Sequence, residues 1–224
     1  MKFDFPIEIR RSERKRTAEI KVINSQVIVA VPQTLSELRI ESLINKRRGW
    51  IRKKLALQSQ VTPFKPKEFV TGEAFSYLGR NYRLKLTRND SVKLKNGYFY
   101  AGDSSKGKTH VKAALTDWYQ SHATHRLTQK TQRYAELLGV MPRSTTVRDF
   151  KTKWGSCSIR GDIAYNWRII MAPHGIVDYV VAHELSHLIE HNHSAKFWSA
   201  LEKTLPDYRD KKQWLKMNGQ HLVW

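Results

Sequence analysis

Asp178-Tyr179-Val180-Val181-Ala182-His183-Glu184-Leu185-Ser186-His187-Leu188 carries two histidines four residues apart with a glutamate directly after the first. Four residues along a helix return to the same face, so both imidazoles can share one ion. Imidazole is a borderline ligand suited to zinc, and a catalytic zinc takes three protein ligands and leaves its fourth position to water. Glu184 then reaches the side where that water sits and can take its proton as the water attacks a carbonyl. An ion there lowers the water pKa from about 15.7 toward 7 and polarises the carbonyl. The surrounding Val180, Val181, Ala182, Leu185 and Leu188 predict a buried helix, where two histidines and a glutamate are costly unless something pairs them. A metal supplies that pairing, and this spacing is the signature of HExxH hydrolases.

The third ligand is open among Glu190, His191, His193 and Glu202. His193 is favoured. Asn192 is a good helix-ending residue, and a turn there brings His193 back toward the ion, whereas His191 lies a further turn along the helix. Ser194 can cap a new helix carrying Phe197, Trp198 and Leu201 at core spacing, from which Glu202 is the alternative carboxylate ligand.

The elements that position these residues fall into two predicted lobes. Ile20–Val22 and Val27–Val31, joined by Asn24-Ser25-Gln26, read as two strands ended by Pro32. From Ser36, Leu38, Leu43, Ile44, Ile51 and Leu55 recur at helical spacing, with basic clusters at Lys46-Arg47-Arg48 and Arg52-Lys53-Lys54 and with Trp50 expected to dock the helix onto the sheet. Pro63 and Pro66 mark a linker, and Glu68–Val70, Ala74–Leu78, Tyr82–Leu86 and Tyr98–Tyr100 read as further strands. The break at Gly102 to Gly107 predicts a boundary between a β-rich N-terminal lobe, residues 1–103, and a catalytic lobe, residues 104–224. In the second lobe a long helix runs from about Lys108 to Gly139. Strands follow at Thr145–Phe150, Trp154–Ile159 and Asp162–Trp167, and Pro173 precedes the HExxH helix. The expected class is α+β.

Lys153-Trp154-Gly155-Ser156-Cys157 reads as an edge strand lining the cleft, where Gly155 permits close backbone approach and an extended peptide adds by β-augmentation. Trp154, Gly155, Arg168 and Tyr208 are candidate substrate contacts, the last two for an oxyanion or a substrate carboxylate. Cys157 reads as a small buried thiol.

Bulk properties restrict the class further. With 40% hydrophobic and 27% charged residues in 224, the chain is globular and large enough for a substantial core. A single cysteine excludes an internal disulfide and a thiolate-rich metal site. With no apolar run long enough to span a membrane and no signal-peptide stretch, the expectation is a cytoplasmic protein without membrane insertion. Forty Lys and Arg against twenty Asp and Glu give a formal charge of +20. That excess suggests an anionic partner, nucleic acid first, with clusters at Arg10-Arg11, Arg14-Lys15-Arg16 and Lys46 to Lys54.

Beyond these motifs, the stretches Lys153-Trp154-Gly155-Ser156-Cys157-Ser158, Asn166-Trp167-Arg168, Ala172-Pro173, Tyr179 to His187, Asn192-His193-Ser194, Phe197-Trp198, Pro206-Asp207-Tyr208 and Trp214-Leu215-Lys216 resemble the YgjP-like predicted metal-dependent hydrolases. Gly72-Glu73, Tyr77-Leu78-Gly79-Arg80 and Tyr82 extend the resemblance over most of the chain. That group is more distantly related to the SprT-like and WLM metallopeptidases. The resemblance implies a zincin-like catalytic lobe and a third histidine after five intervening residues, here His193. Ser186 stands where Cys is common in the group, between the ligands. The function expected is zinc-dependent hydrolysis of peptide bonds with Glu184 as general base. The alternatives are a nucleic-acid-associated protein, including a protease acting on DNA-bound proteins, and a hydrolase of non-peptide amides.

Overall fold

The computed structural model describes residues 3–13, 17–23, 26–59, 65–88 and 91–224. The turn expected at Asn24-Ser25, the Pro63 linker residue and the Arg14–Arg16 cluster lie outside them. The chain divides into two compact units at Lys65/Pro66, not at 103/104.

In the first unit, strands β1 (Ile7–Ser12), β2 (Glu19–Ile23) and β3 (Gln26–Pro32) form a sheet in the order β1-β3-β2, with β1 parallel and β2 antiparallel to β3. Alternation along β3 sends Val27, Val29 and Val31 to one face, where they are fully buried. Helix α1 (Glu37–Ser59) covers that face with Ile40, Ile44 and Ile51. Two expectations for α1 fail. Leu38 is 81% exposed and Trp50 41% exposed, because the buried stripe starts at Ile40 and Trp50 lies off it. The Lys54 ammonium stands over the Trp50 ring at 5.9 Å instead.

The second unit begins with a four-stranded sheet of β4 (Ala74–Tyr77), β5 (Arg80–Thr87), β6 (Lys93–Lys95) and β7 (Tyr98–Asp103), ordered β4-β5-β7-β6. The strand expected at Glu68–Val70 is absent, because the Glu73 carboxylate accepts from the Glu68 and Phe69 amides and holds that segment out of a sheet. Helix α2 (Lys108–Leu138) presents Val111, Leu115, Tyr119, Ala123 and Leu127 at four-residue spacing and stops at left-handed Gly139. Phe75, Leu84, Phe99 and Ala101 share one continuous core with that stripe and with the site-bearing helix. This shared core moves the boundary: the Gly102–Gly107 break is a connection inside the unit. Gly79, at φ +81°, would place a Cβ 2.8 Å from the Pro173 Cα, and the Leu78 amide donates to Ile170 O at 2.7 Å. The sheet is thereby fastened at the point where the site helix begins.

The third sheet comprises β8 (Ser144–Arg148), β9 (Gly155–Cys157) and β10 (Asp162–Asn166), ordered β8-β10-β9. It is mixed, with β8 parallel and β9 antiparallel to β10, and it leaves β9 at an edge. A 3-10 turn, Trp167–Met171, leads to α3 (His174–Ser186), followed by α4 (Ala195–Thr204) and α5 (Tyr208–Asn218). The class is α+β. Helix α3 packs against α2, α4, α5 and β9. Val177, Val181, Ala182 and Leu185 are fully buried along it. Among the described residues no helix is long and apolar enough to cross a membrane.

Candidate metal centre

His183 lies in the last turn of α3, and His187 caps its C-terminus while keeping helical dihedrals (φ −68°, ψ −18°). The four-residue spacing therefore still places both rings on one face. The helix ends at Ser186, six residues before the expected stop at Asn192, and the chain reverses through turns in which the Ile189 and Glu190 amides donate to Ser186 O. That reversal brings His193 back over the helix end, with its Nε2 3.1 Å from His183 Nε2. One nitrogen from each of His183, His187 and His193 lies within 4.8 Å of the others. Phe197 of α4 forms an apolar floor beside all three rings, at centroid distances of 5.0, 4.6 and 4.7 Å.

Burial, reinforced by the neighbouring His187 and His193, pushes the His183 imidazole down to about 3. Burial also lowers His187. Both rings are thus held neutral, the form that ligates. His187 Nδ1 lies 3.3 Å from the Glu190 carbonyl, and the tautomer that donates there leaves the Nε2 lone pair free. His183 Nδ1 is buried without a hydrogen-bond partner among the described residues. Bonds of about 2.0–2.1 Å in tetrahedral geometry separate two nitrogen ligands by ~3.3 Å, close to the His183–His193 spacing. Three converging imidazole nitrogen donors fit a divalent ion with an open coordination position.

Glu184 is buried, 7% exposed, and burial pushes its carboxyl up to about 7 while the Lys153 charge opposes that rise. Its side chain faces β9 so closely that a Cβ on Gly155 would meet Glu184 Cγ and Oε1 at 2.6 Å. Gly155 is required by proximity and not by its dihedrals, since its φ is not positive. Ser186, also buried, satisfies its hydroxyl by donating to Ala182 O at 2.7 Å.

The remaining candidates scatter around this centre. Trp154 is half-buried against Gly219, where an added Cβ would meet its ring at 3.1 Å. Arg168 pairs with Asp149 and stacks its guanidinium over Trp167, so its charge is engaged away from the three histidines. Tyr208 is buried and stacks on Trp198 (5.3 Å, 17°), with its hydroxyl accepting from Arg209. Glu202, the alternative ligand, pairs with Arg209 at 3.2 Å and does not join the histidines. Cys157 is half-buried, and burial followed by the Glu184 charge raises its thiol to about 11.

Two contributors escaped sequence reasoning. Trp198 was read as core, yet it stacks on His193 (5.4 Å, 23°) and its Nε1 donates to His193 O at 3.1 Å, fixing an otherwise exposed ligand candidate. Asn166 is buried and its amide donates to Phe150 O and Lys153 O, which shapes the segment leading into β9. The Asn-Trp-Arg run in the sequence was the available signal. In the N-terminal unit, Arg10 pairs with Glu8, Arg11 donates to Gln33 O and Leu35 O, and Arg48 and Arg52 both bind Asp4. Parts of the basic clusters are therefore engaged within the chain.

No curated protein matches the chain. Among solved structures, the metallopeptidase zymogen abylysin of Pyrococcus abyssi is similar over 42% of this chain and 93% of its own, with 22% identity and a TM-score of 0.38. The metallopeptidase zymogen jannalysin of Methanocaldococcus jannaschii is similar over 43% of this chain and 97% of its own, with 20% identity and a TM-score of 0.37. The family model described as YgjP-like, metallopeptidase domain, matches residues 16–218. Taken with the histidine cluster and its implied divalent metal, that match over most of the sequence establishes that the chain belongs to the YgjP-like metallopeptidase family.

Proposed function

We propose that the protein is a zinc-dependent peptidase in which His183, His187 and His193 hold the ion and Glu184 is the general base. The observation that carries this reading is the convergence of three imidazole nitrogens beside a buried glutamate that faces an edge strand. Three imidazole nitrogen donors suit zinc, and a bound ion would supply an acidified water and a polarised scissile carbonyl. Glu184 would accept the proton of the attacking water and pass it to the departing amine, which leaves as the tetrahedral carbon collapses. Its burial excludes bulk water from that transfer.

A peptide is favoured over other amides because of β9. One edge of β9 pairs with β10, and among the described residues no strand pairs with the other. An extended backbone can add there as a further strand. Gly155, lacking a side chain, lets the Glu184 carboxylate stand beside that backbone. The test is Glu184→Gln, an isosteric change that removes the base and leaves the imidazoles. Cleavage of a peptide pool should fall by about 10²–10⁴-fold with zinc content unchanged. Undiminished cleavage would remove Glu184 from the mechanism.

A further inference from the structure

A cavity of about 840 Å³ opens beside the start of β9, a size in the range of ligand sites. Its near wall is the segment 149–154, held in place by the Asn166 amide, and its far wall comes from α5 and the residues after it. Trp154, wedged against Gly219, forms part of the lining. Four cations line this cavity, Lys151, Lys153, Arg168 and Lys216, against one carboxylate, Asp149, which Arg168 already binds. Lys151, Lys153 and Lys216 are exposed and form no ion pair among the described residues, although the Lys151 charge acts on Asp149 and Lys153, over the Phe150 ring at 4.8 Å, acts on Glu184. Trp154 of the cavity wall is followed directly by Gly155, which touches Glu184. A chain extended along β9 past Glu184 therefore runs into a concave, positively charged, aromatic-lined pocket.

We propose that this cavity is a specificity subsite that selects peptide substrates carrying Asp or Glu a few residues from the scissile bond. The proposal rests on the peptidase reading above. Three exposed lysines and Arg168 around a concave site that holds one carboxylate leave an excess of positive charge, which attracts a carboxylate that enters it. An aromatic wall accommodates the aliphatic part of the same side chain. A nucleic-acid phosphate would satisfy the same charges. The position favours peptide, since the cavity lies at the end of the sheet where β9 begins, next to Gly155 and Glu184.

The experiment uses the zinc-loaded full chain and a pool of peptides of about twelve residues in which Glu and Asp are replaced one at a time by Gln and Asn, with cleavage read by mass spectrometry at about 50 mM salt. Wild type should cut the acidic members about tenfold faster than their amide isosteres, ~1.4 kcal/mol of discrimination. In Lys151→Glu/Lys216→Glu the acidic-to-amide ratio should fall to about one or below, and in Lys151→Gln/Lys216→Gln to an intermediate value. Lys153 is left in place because its charge reaches Glu184. Equal cleavage of acidic and amide peptides by wild type overturns the subsite and leaves the peptidase reading standing. Cleavage of no peptide at all, amide members included, overturns the peptidase reading and with it the subsite as a substrate determinant. Binding of oligo-dT that disappears in the charge-reversed variant, without an acidic-peptide preference, overturns the proposal in favour of nucleic acid.

Discussion

Replacing Gly155 with alanine adds one methyl group at the closest approach between strand β9 and the proposed base. The new Cβ would lie 2.6 Å from Glu184 Cγ and Oε1 and 2.8 Å from Cδ. Carbon atoms in contact prefer about 3.5–4.0 Å, so something must yield by about 1 Å. The Glu184 side chain is buried and the β9 backbone is paired with β10, so neither can yield freely. Overpacking of this kind costs about 1–3 kcal/mol, a fraction of the roughly 5–15 kcal/mol that holds a domain together, so the variant should fold. Displacing a catalytic group by 1 Å costs about 10²-fold in rate. The φ at this position is not positive, so alanine meets no backbone penalty and the effect isolates the steric contact. The expected result is kcat/KM on a cleaved peptide reduced about 10²-fold, with zinc content unchanged and a Tm lowered by a few degrees. An alanine variant with wild-type activity would refute the placement of the Glu184 carboxylate against β9.

Trp198→Ala removes both the stacking on His193 and the hydrogen bond to its carbonyl, and should weaken zinc binding by about 10–100-fold in a chelator competition, with Trp198→Phe retaining part of the affinity. Unchanged affinity would show that His193 is held by its own loop. The Cys157 thiol, raised to about 11, should be almost wholly protonated at pH 7, roughly one thiolate in 10⁴, so iodoacetamide labelling should be slow and should accelerate about tenfold per pH unit up to about pH 10. Rapid labelling at neutral pH would contradict its burial beside Glu184. Asp178→Ala leaves Lys130 of α2 without its 2.5 Å partner on α3 in a position where both side chains are over four-fifths covered, and should cost about 2 kcal/mol, lowering Tm by about 4–8 °C. A shift under a degree would mean that solvent replaces the pair.

The histidine spacing was legible because a helix fixes which residues share a face, whereas the reversal expected at Asn192 comes earlier, since α3 ends at Ser186 and the chain turns back from there. The long α2 was legible for the same reason: its apolar stripe and terminal Gly139 are local signals. Edge strand β9 was legible from Gly155, whose neighbour Glu184 then explains why no side chain fits there. What failed depended on contacts between distant segments. The Gly102–Gly107 break looked like a lobe boundary, whereas β4–β7 and α2 share one core. Strand β1 was overlooked because Arg10-Arg11 reads as a basic cluster for an anionic partner, although Ile7 and Ile9 alternate on a strand parallel to β3. Glu68–Val70 had strand composition, but the Glu73 carboxylate captured its amides. Arg168 was legible as a candidate substrate contact, but its ion pair with Asp149 was not, because the partner lies nineteen residues away. The basic cavity draws on residues 149–154, 166–168 and 215–223, and no local pattern announces such a convergence.

The most direct test of the central claim is the metal content of purified wild type, His193→Ala and Glu202→Ala. The account predicts about one zinc per chain in wild type and in Glu202→Ala, where only the Arg209 pair is lost, and loss of stable zinc in His193→Ala. Zinc retained in His193→Ala and lost in Glu202→Ala would contradict the three-histidine centre, and a wild type that takes up no zinc would contradict the mechanism built on it.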